Sequence, residues 1–326
     1  MRVSYRELFD AVLRALATTG LEPDRAALCA RLIADASRDG VASHGLNLVP
    51  RLVAMIRSGV VDVHARPVKV AAHGALERWD GRSGVGTLNA YACMEAAIAL
   101  ARAHGIGCVA LANTNHWMRG GTYGWQAAEA GVIGLCWTNT LPNLPPWGAA
   151  TPRVGNNPLV IAVPRGQSGG AHVVLDMAMS QFSYGALASY RMRHEPLPVP
   201  GGFDSAGELT TDPAAIEASK RPLPIGFWKG SGLALMLDMM AALLSGGRAT
   251  HEIPAHPEQE SGLSQVFIAA DATTLSGWAE GSRTIDAIVE DLQARYPGER
   301  TLATRRQNME EGVPVEPSIF EQVCSL

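Results

Sequence analysis

The chain has 326 residues, 47% of them hydrophobic, so it can bury a large core, and its length favours two or three lobes over one minimal domain. Its net charge of −4 and scattered basic residues argue against a nucleic-acid partner. Apolar runs stay below the ~20 residues that span a bilayer, and the chain starts like an amphipathic helix rather than a signal peptide. We therefore expect no membrane partner.

The cysteines occur singly within apolar runs, without the paired spacing of metal or redox motifs. We interpret them as reduced core thiols of a cytoplasmic protein. HEIPAH at residues 251–256 has the wrong spacing for two ligands on one helical face, and Pro254 breaks any helix. We therefore predict a surface loop there and no metal site. The cysteines are Cys29, Cys93, Cys108, Cys136 and Cys324.

The first 60 residues predict three helices. A capping box begins one at residues 4–18, and a proline begins a second at residues 23–40. A third is expected at residues 46–57. His44, in VASHG, lies on the short connection between the second and third helices. Its ring can face a cleft or cap a helix terminus, and the spacing leaves both open.

Two glycine patterns resemble a dinucleotide-binding fingerprint. Strands are predicted between Val68 and Asp80, and an Ala-rich helix between Gly84 and Gly105. The Rossmann motif needs a strand, then glycines, then a helix, with an acid ~20 residues later. GIGCVA at Gly105 has the reverse order, and GVGTLN at Gly84 lacks a suitable acid. Any nicotinamide cofactor is therefore expected to bind on another fold.

The stretch at residues 113–148 concentrates amides, hydroxyls, tryptophans and one imidazole between apolar runs. The runs at residues 106–112 and 131–137 predict buried strands, with a short helix between them at residues 123–129. Loops converge at strand ends in open α/β sheets, so we expect a ligand site there. The polar residues that leave these strands are Asn115, His116, Thr138 and Asn139.

Two further strands are predicted at residues 159–163 and in AHVVLD, which ends on Asp176. Between them, GQSGG around Ser168 matches G-x-S-x-G. A strand rather than a helix follows, so a hairpin loop is favoured over a nucleophile elbow. Asp176 precedes a predicted helix that it could cap. Its carboxylate is also expected beside His116 and within reach of His44.

The last third of the chain predicts a loop that covers the ligand site and a helix N-terminus that binds an anion. Residues 195–224 are rich in Pro, Gly and Asp, which indicates a long loop over a site. Trp228 and Lys229 then open an apolar helix in FWKGSG, where a lysine and helix N-terminal amides favour an anion cradle over a packing turn. A strand, a helix at residues 282–296, a turn at Pro297-Gly298 and two short helices complete the chain.

These residues together resemble the type-2 malate/L-lactate dehydrogenase family, a group of non-Rossmann ketoacid reductases. The shared strings are GVASHG, NTNHWMRGGTYGWQAAEAGVIGLCWTN, PPWG, NNPL, LDMAMSQFSYG and WKGSG. The resemblance implies an α/β fold like that of L-sulfolactate and malate dehydrogenases, an extended mixed sheet with a helical lobe from both termini. We assign residues 1–70 and 280–326 to the lobe and residues 71–279 to the region that binds cofactor and substrate.

The resemblance also implies hydride transfer between a nicotinamide and a small 2-oxo acid, in a homodimer whose partner helps to close the site. NADH is expected, and NADPH stays open. Within the family, LPVPGGFD and FWKGSG favour a reductase of a diketo sugar acid. The alternatives are a malate, lactate or ureidoglycolate type of dehydrogenase and a cyclic imine acid reductase. A serine hydrolase using Ser168 and a non-catalytic sugar-acid binding protein are remote alternatives.

The family's functional residues map onto positions of this sequence. His44 matches the proton donor, His116 lies in the active site, and Asp176 assists the base. The substrate-binding candidates are Ser43, Arg51, Asn115, Arg119 and Asn156. The cofactor contacts that the resemblance implies are His172, Val173, Val174, Leu175, Asp176, Met177, Ala178, Trp228, Lys229, Glu299, Arg300 and Thr301. The candidates for a cofactor phosphate are Lys229, Arg300 and Arg191.

Three positions depart from the family pattern. Leu48 replaces an arginine that is a natural carboxylate clamp, so Arg51 or Arg119 would take that charge. Asn156 stands where threonine is frequent, and the Gly-His-Glu turn reads Gly-Glu-Arg at residues 298–300. These departures bear on the identity of the acid rather than on the hydride chemistry.

Overall fold

The computed structural model describes residues 1–165, 171–273, 275 and 278–326. Its helices are α1 (Tyr5–Ala17), α2 (Pro23–Arg38), α3 (Val49–Arg57), α4 (Gly86–His104), α5 (Gly121–Glu129), α6 (Tyr184–Met192), α7 (Pro213–Ser219), α8 (Trp228–Ser245), α9 (Trp278–Asp291), α10 (Glu299–Glu311) and α11 (Pro317–Cys324). Its strands are β1 (Arg2–Val3), β2 (Val68–His73), β3 (Leu76–Asp80), β4 (Ile106–Asn115), β5 (Ile133–Thr138), β6 (Pro142–Leu144), β7 (Val154–Gly155), β8 (Leu159–Val163), β9 (Val173–Met177), β10 (Gly202–Phe203), β11 (Leu209–Thr210), β12 (Ser261–Ala270) and β13 (Val313–Pro314).

A seven-stranded mixed sheet in the order β2-β3-β4-β12-β5-β8-β9 forms the centre of the protein. Only the β3–β4 pair is parallel in this sheet, and α4 makes the crossover between its strands. The other neighbours are antiparallel. Strand β12 comes late in the chain but lies between β4 and β5, so it separates the two strands of the 113–148 stretch.

Helices cover both faces of this sheet, which explains why its central strands read as continuous apolar runs. Along β4 the side chains alternate between two core clusters. Val109 and Leu111 pack with α4 and α5, whereas Ala110 packs with α8. Strand β12 follows the same alternation, with Phe267 on the α4 side and Val266 on the α8 side.

The two ends of the chain meet in a helical layer. The predicted capping box at Ser4 and Glu7 is present and begins α1. Arg2 in β1 pairs with Pro314 in β13, and residues of α1, α2, α3 and α11 share one core cluster. The expected helical lobe from both termini is therefore confirmed as part of the fold, and its exact division at residues 70 and 280 stays a prediction.

Two predicted elements are wrong in detail. No helix follows β9 directly, because α6 starts only after Ser183, whose hydroxyl accepts a hydrogen bond from the amide of Ala186. The 195–224 segment is not an irregular loop, since it contains the β10–β11 hairpin and α7. This segment has a small core of its own with α6, formed by Leu187, Leu197 and Ile216.

The cysteines lie in the interior, as predicted, except for Cys324 near the C-terminus. Cys29, Cys93 and Cys136 are buried free thiols, and Cys108 is half-buried. Cys324 is exposed, because the last turn of α11 leaves it on the surface, so its assignment to the core is wrong. The G-x-S-x-G segment with Ser168 lies outside the described residues. Over the part of the chain that the structure describes, no helix is long and apolar enough to cross a membrane.

Candidate active site

His44 lies at the end of a tight connection between α2 and α3. Gly40 ends the preceding helical segment with a φ of 84°, a conformation that costs glycine little. A short 3-10 turn, Ala42–His44, then brings the imidazole to the sheet. The Nδ1 of His44 lies 3.0 Å from the hydroxyl of Ser43, which fixes the orientation of the half-buried ring. The ring makes no helix-capping hydrogen bond among the described residues, so the structure does not support the alternative in which His44 caps a helix terminus.

His116 follows β4 and faces His44. The two ring centroids are 5.9 Å apart and the ring planes are inclined by 23°. The backbone amide of Met118 donates to Nδ1 of His116 at 3.1 Å. In a neutral imidazole the other nitrogen then carries the proton. The Nε2 of His116 is therefore a hydrogen-bond donor in the neutral state.

The surroundings of the two imidazoles push their pKa values apart. Burial lowers the pKa of His116 most, Glu260 opposes this shift, and the neighbouring His44 and Arg51 add to it, so that the pKa lies at about 4. Burial also lowers the pKa of His44, but the carboxylates of Asp176 and Glu260 raise it again. His44 therefore takes up a proton more readily than His116, whose neutral form dominates near pH 7.

Asp176 lies on β9 with an exposed side chain. Its Oδ2 accepts a hydrogen bond of 2.8 Å from the amide of Gly121, the first residue of α5. A helix N-terminus stabilises a carboxylate in this position. The prediction that Asp176 caps the helix after β9 is thus wrong, because the carboxylate caps a helix from another part of the chain.

Arg51 is the arginine beside the imidazoles. Together with Leu48, Asn115 and His116 it lines a small cavity of about 20 Å³. Its guanidinium is 2.9 Å from Oε2 of Glu260, and its Nε has no hydrogen-bond partner among the described residues. Arg51 therefore keeps donor capacity next to His116.

Arg119 is directed elsewhere. Its side chain is 5% exposed, and its NH1 donates to Oδ2 of Asp39 at 2.7 Å. Its Nε lies on the other side, where a Cβ added to Gly121 would be 3.3 Å away. The guanidinium therefore lies between Asp39 and the start of α5.

The candidate asparagines hold backbone segments in place. The Nδ2 of Asn115 donates to the carbonyls of Ser83 and Gly84 at 2.7 and 2.9 Å. Asn156 accepts from the amide of Ser180 at 2.8 Å, just beyond β9. The Oδ1 of Asn115 is buried without a partner in the described chain, so it remains a free acceptor.

Among the described residues, no hydrogen bond links Thr138 or Asn139, the polar pair that follows β5, to the imidazoles. The Nδ2 of Asn139 donates to Asp238 of α8 at 2.9 Å, and Thr138 donates to backbone carbonyls, including that of Ser264. These residues tie β5 to β12 and α8. Strand β12 separates β5 from β4, which sequence periodicity could not reveal.

Glu260 is a site residue that the sequence analysis missed. It directly precedes β12, opposite the end of β4, and is 3% exposed. One carboxylate oxygen binds Arg51, and the other accepts from the amide of Leu141 at 3.1 Å. The only sequence signal was an acid shortly before an apolar strand, four residues after the 251–256 segment that was interpreted as a surface loop.

The residues predicted for cofactor binding converge on β9, the last strand of the sheet. At its start, the amide of Val174 donates to the carbonyl of Pro297 at 3.0 Å, which places the beginning of α10 there. Beyond its end, the amide of Ile225 donates to the carbonyl of Met179 at 2.9 Å. This bond places the start of α8 near that end, because α8 begins three residues after Ile225. The residues at these two helix starts are Trp228, Lys229, Glu299, Arg300 and Thr301.

This edge has the donor and acceptor groups that a dinucleotide requires. Lys229 is exposed at the N-terminus of α8, where helix amides favour phosphate. The Oε2 of Glu299 is buried without a partner among the described residues and can accept from a ribose hydroxyl. The ring of Trp228, 65% exposed, offers an apolar face. No group of three or more His, Cys, Asp or Glu in the described ranges is arranged to hold a metal ion.

Comparison with known proteins identifies the class. The family model for malate/L-lactate dehydrogenase matches residues 3–324, so the chain belongs to that family. It is therefore an oxidoreductase that uses a nicotinamide cofactor. The 2,3-diketo-L-gulonate reductase of Citrobacter koseri is 41% identical over 100% of both chains.

Solved structures confirm the non-Rossmann fold. Sulfolactate dehydrogenase from Methanocaldococcus jannaschii superposes with a TM-score of 0.90 at 26% identity, covering 100% of this chain and 97% of that chain. Δ1-Piperideine-2-carboxylate reductase from Pseudomonas syringae pv. tomato superposes with a TM-score of 0.89 at 29% identity, covering 100% and 99%. The rejection of both glycine patterns as Rossmann fingerprints agrees with this fold.

Proposed function

We propose that the protein reduces a 2-oxo sugar acid with NADH, and that its substrate is 2,3-diketo-L-gulonate, which becomes 3-dehydro-L-gulonate. The observation that carries the proposal is the His44–His116 pair, in which a protonatable imidazole faces a neutral donor. The carboxylate of Asp176, on the strand assigned to the cofactor, acts on His44. The full-length relative in Citrobacter koseri supports the choice of substrate.

His44 is the general acid in this proposal. The cofactor, when bound, supplies the hydride, and negative charge grows on the carbonyl oxygen of the substrate. Protonated His44 donates from Nε2 to that oxygen, while its Nδ1–H stays on the hydroxyl of Ser43. Asp176 stabilises the imidazolium before the transfer. General acid catalysis of this kind contributes roughly 10²- to 10⁴-fold.

The remaining groups orient the substrate. His116 donates from Nε2 to the second oxygen of the diketo acid, and the free Oδ1 of Asn115 accepts from a hydroxyl. Arg51 binds the carboxylate, because it lines the cavity beside His116, whereas Arg119 is held by the buried Asp39. Asn156 acts through the backbone, since it orders the exit from β9.

NADH is proposed over NADPH because of Glu299. Its buried, unpartnered oxygen suits a ribose hydroxyl and would repel a phosphate in the same place. Of the basic candidates, Arg191 is ion-paired with Glu217. We expect NADH to give at least a tenfold higher kcat/KM than NADPH, and Glu299→Gln to narrow that ratio. A preference for NADPH in the unmodified protein would contradict this assignment.

A homodimer is proposed because one surface is apolar and uncovered. The outer face of α8 exposes Leu235, Met236, Met239 and Leu243, with Leu243 at 74%. All residues of the neighbouring edge strand β2 are exposed as well. Arg78 of β3 donates to the carbonyls of Leu243 and Leu244, so the two surfaces are continuous. Exposed apolar patches and open edge strands mark association sites.

The dimer is tested by light scattering. Leu243→Glu in α8 is expected to yield monomers, whereas Ile288→Glu, at 62% exposure on α9, is the matched control and should leave the mass unchanged. A monomeric unmodified protein would contradict the proposal.

We also propose that residues 1–70 and 280–326 form the helical lobe and that residues 71–279 bind cofactor and substrate. A cytoplasmic location is part of the same proposal.

The function is tested by absorbance at 340 nm with purified protein and each reduced nicotinamide. The substrates are 2,3-diketo-L-gulonate, pyruvate, oxaloacetate and the cyclic imine Δ1-piperideine-2-carboxylate. We expect the diketo sugar acid to give the highest kcat/KM. Preference for the imine would assign the protein to the second candidate function, which the similarity to the Pseudomonas structure favours. Oxidation with none of them would contradict the proposal.

A further inference from the structure

Asp39 is a buried carboxylate shared by three arginines. Arg305 of α10 binds both oxygens, Nε to Oδ1 and NH2 to Oδ2, each at 2.8 Å. Arg119 donates to Oδ2 at 2.7 Å and Arg38 to Oδ1 at 2.9 Å. Burial alone would raise the pKa of Asp39, but these arginines hold it at about 2. Asp39 is therefore an anion at every physiological pH.

Arg119 connects Asp39 to the candidate active site. Its NH1 is bound to Asp39, whereas its Nε faces the start of α5 and has no hydrogen-bond partner among the described residues. Gly121 lies between this Nε and Asp176, because an added Cβ would be 3.3 Å from the one and 2.7 Å from Oδ2 of the other. If Asp39 did not hold it, the guanidinium could rotate past Gly121 towards the carboxylate of Asp176.

Such a rotation matters because Asp176 and Arg119 act on His44 in opposite directions. The negative charge of Asp176 favours the imidazolium, and the positive charge of Arg119 disfavours it. An Arg119–Asp176 ion pair would cancel most of the support that Asp176 gives to His44. The charged or titratable groups that act on His44 are Asp176 from β9, Glu260 before β12, Arg119 before α5, Arg51 from α3 and His116 after β4.

We propose that Asp39 is a positioning residue for the reaction, which holds Arg119 away from Asp176 and so leaves the carboxylate of Asp176 free to support protonated His44. Arg305 holds Asp39 in turn from α10, the helix whose first residues are assigned to the cofactor. The inference rests on the proposed role of His44. A structural ion-pair cluster would stabilise the fold without any effect on His44, and the experiment separates the two roles.

Asp39→Asn is the variant, and Asp35→Asn is the matched control. Asp35 lies one turn earlier on α2 and binds Arg38 at 2.7 Å, and among the described residues it forms no hydrogen bond or ion pair with Arg119. The pKa of His44 is read directly from its imidazole resonances by NMR titration, with His44→Ala to assign the signal. We expect Asp39→Asn to lower this pKa by about half a unit or more. Asp35→Asn should leave it unchanged.

The pH profile of kcat/KM gives a second readout. Reduction requires protonated His44, so the rate falls as pH rises through the pKa of His44. In Asp39→Asn that fall should move to lower pH, and kcat/KM at pH 7.5 should drop about threefold or more, mostly in kcat, because half a pKa unit is about a threefold change in the protonated fraction. Arg119→Gln removes the opposing charge, so it should raise the pKa of His44 instead. This second variant tests the premise that Arg119 opposes the charged form of His44, so its failure overturns the inference even if Asp39→Asn does not fold.

The inference is overturned if Asp39→Asn and Asp35→Asn give the same pKa for His44. It is also overturned if Arg119→Gln leaves the pKa of His44 unchanged or lowers it. The NMR titration needs no substrate. A protein that is inactive towards all the acids tested but titrates as expected would therefore count against the proposed function and not against the role of Asp39.

Discussion

The imidazole rings of His44 and His116 lie 5.9 Å apart with their planes inclined by 23°. Two imidazolium ions at this distance would repel each other in a partly desolvated site. Burial and the neighbouring ring lower the pKa of His116 to about 4, whereas Asp176 and Glu260 support the charged form of His44. The pair is therefore asymmetric, with one ring suited to donate a proton and the other to donate a hydrogen bond.

The depressed pKa of His116 predicts how stability depends on pH. The unfolded chain has a histidine pKa of ~6.5, so between pH 6.5 and 4 the unfolded state binds more protons. The contribution of His116 is full above ~6.5 and is lost as pH falls towards 4. From pH 7 to 4.5 it amounts to about 2 kcal/mol.

Urea unfolding at pH 7.0 and 4.5 checks this prediction. His116→Gln should lose about 2 kcal/mol less stability over that interval than the unmodified protein. His104→Gln, which removes an exposed histidine at the end of α4, is the control and should behave like the unmodified protein. Equal losses in all three proteins would contradict the assigned state of His116.

Gly121→Ala should damage activity without damaging the fold. The new Cβ would lie 2.7 Å from Oδ2 of Asp176 and displace the carboxylate from the N-terminus of α5. We expect kcat to fall about 10- to 100-fold. Because alanine favours helices, the melting temperature should change little. Gly281→Ala in α9, where a Cβ meets nothing within 4 Å, is the control, and equal kcat in both variants would refute the role of this contact.

Leu48 is expected to set the choice of acid. It lines the small cavity beside Arg51 and His116, where the family pattern has arginine. Leu48→Arg adds a second cation, so the KM for oxaloacetate should fall at least tenfold while that for the sugar acid rises. Leu48→Met conserves the apolar volume and should leave both values near the original. The prediction fails if the arginine variant keeps the original preference.

The local elements were predictable because their signals are local. The capping box at Ser4, the proline at the start of α2 and the glycine after α4 act within a few residues, and the structure places helix ends there. The burial of β4 on both faces of the sheet was visible as an apolar run. The family resemblance added the fold, which no run or cap specifies.

What escaped prediction depends on contacts between distant segments. The amide that binds Asp176 comes from Gly121, the partner of Arg119 is Asp39, and Glu260 reaches the site only because β12 lies beside β4. The partner of an acid or arginine is set by the fold rather than by its neighbours in sequence. Similarly, the roles assigned to His44, His116 and Asp176 stay predictions that depend on activity measurements.

The most direct test of the central claim compares His44→Ala with the unmodified protein, in NADH oxidation with 2,3-diketo-L-gulonate and in NADH binding by fluorescence. We predict that turnover falls by at least two decades while the Kd for NADH stays within about threefold, because only the proton donor is removed. Unchanged turnover in His44→Ala would contradict the account, since the proton would then come from another group.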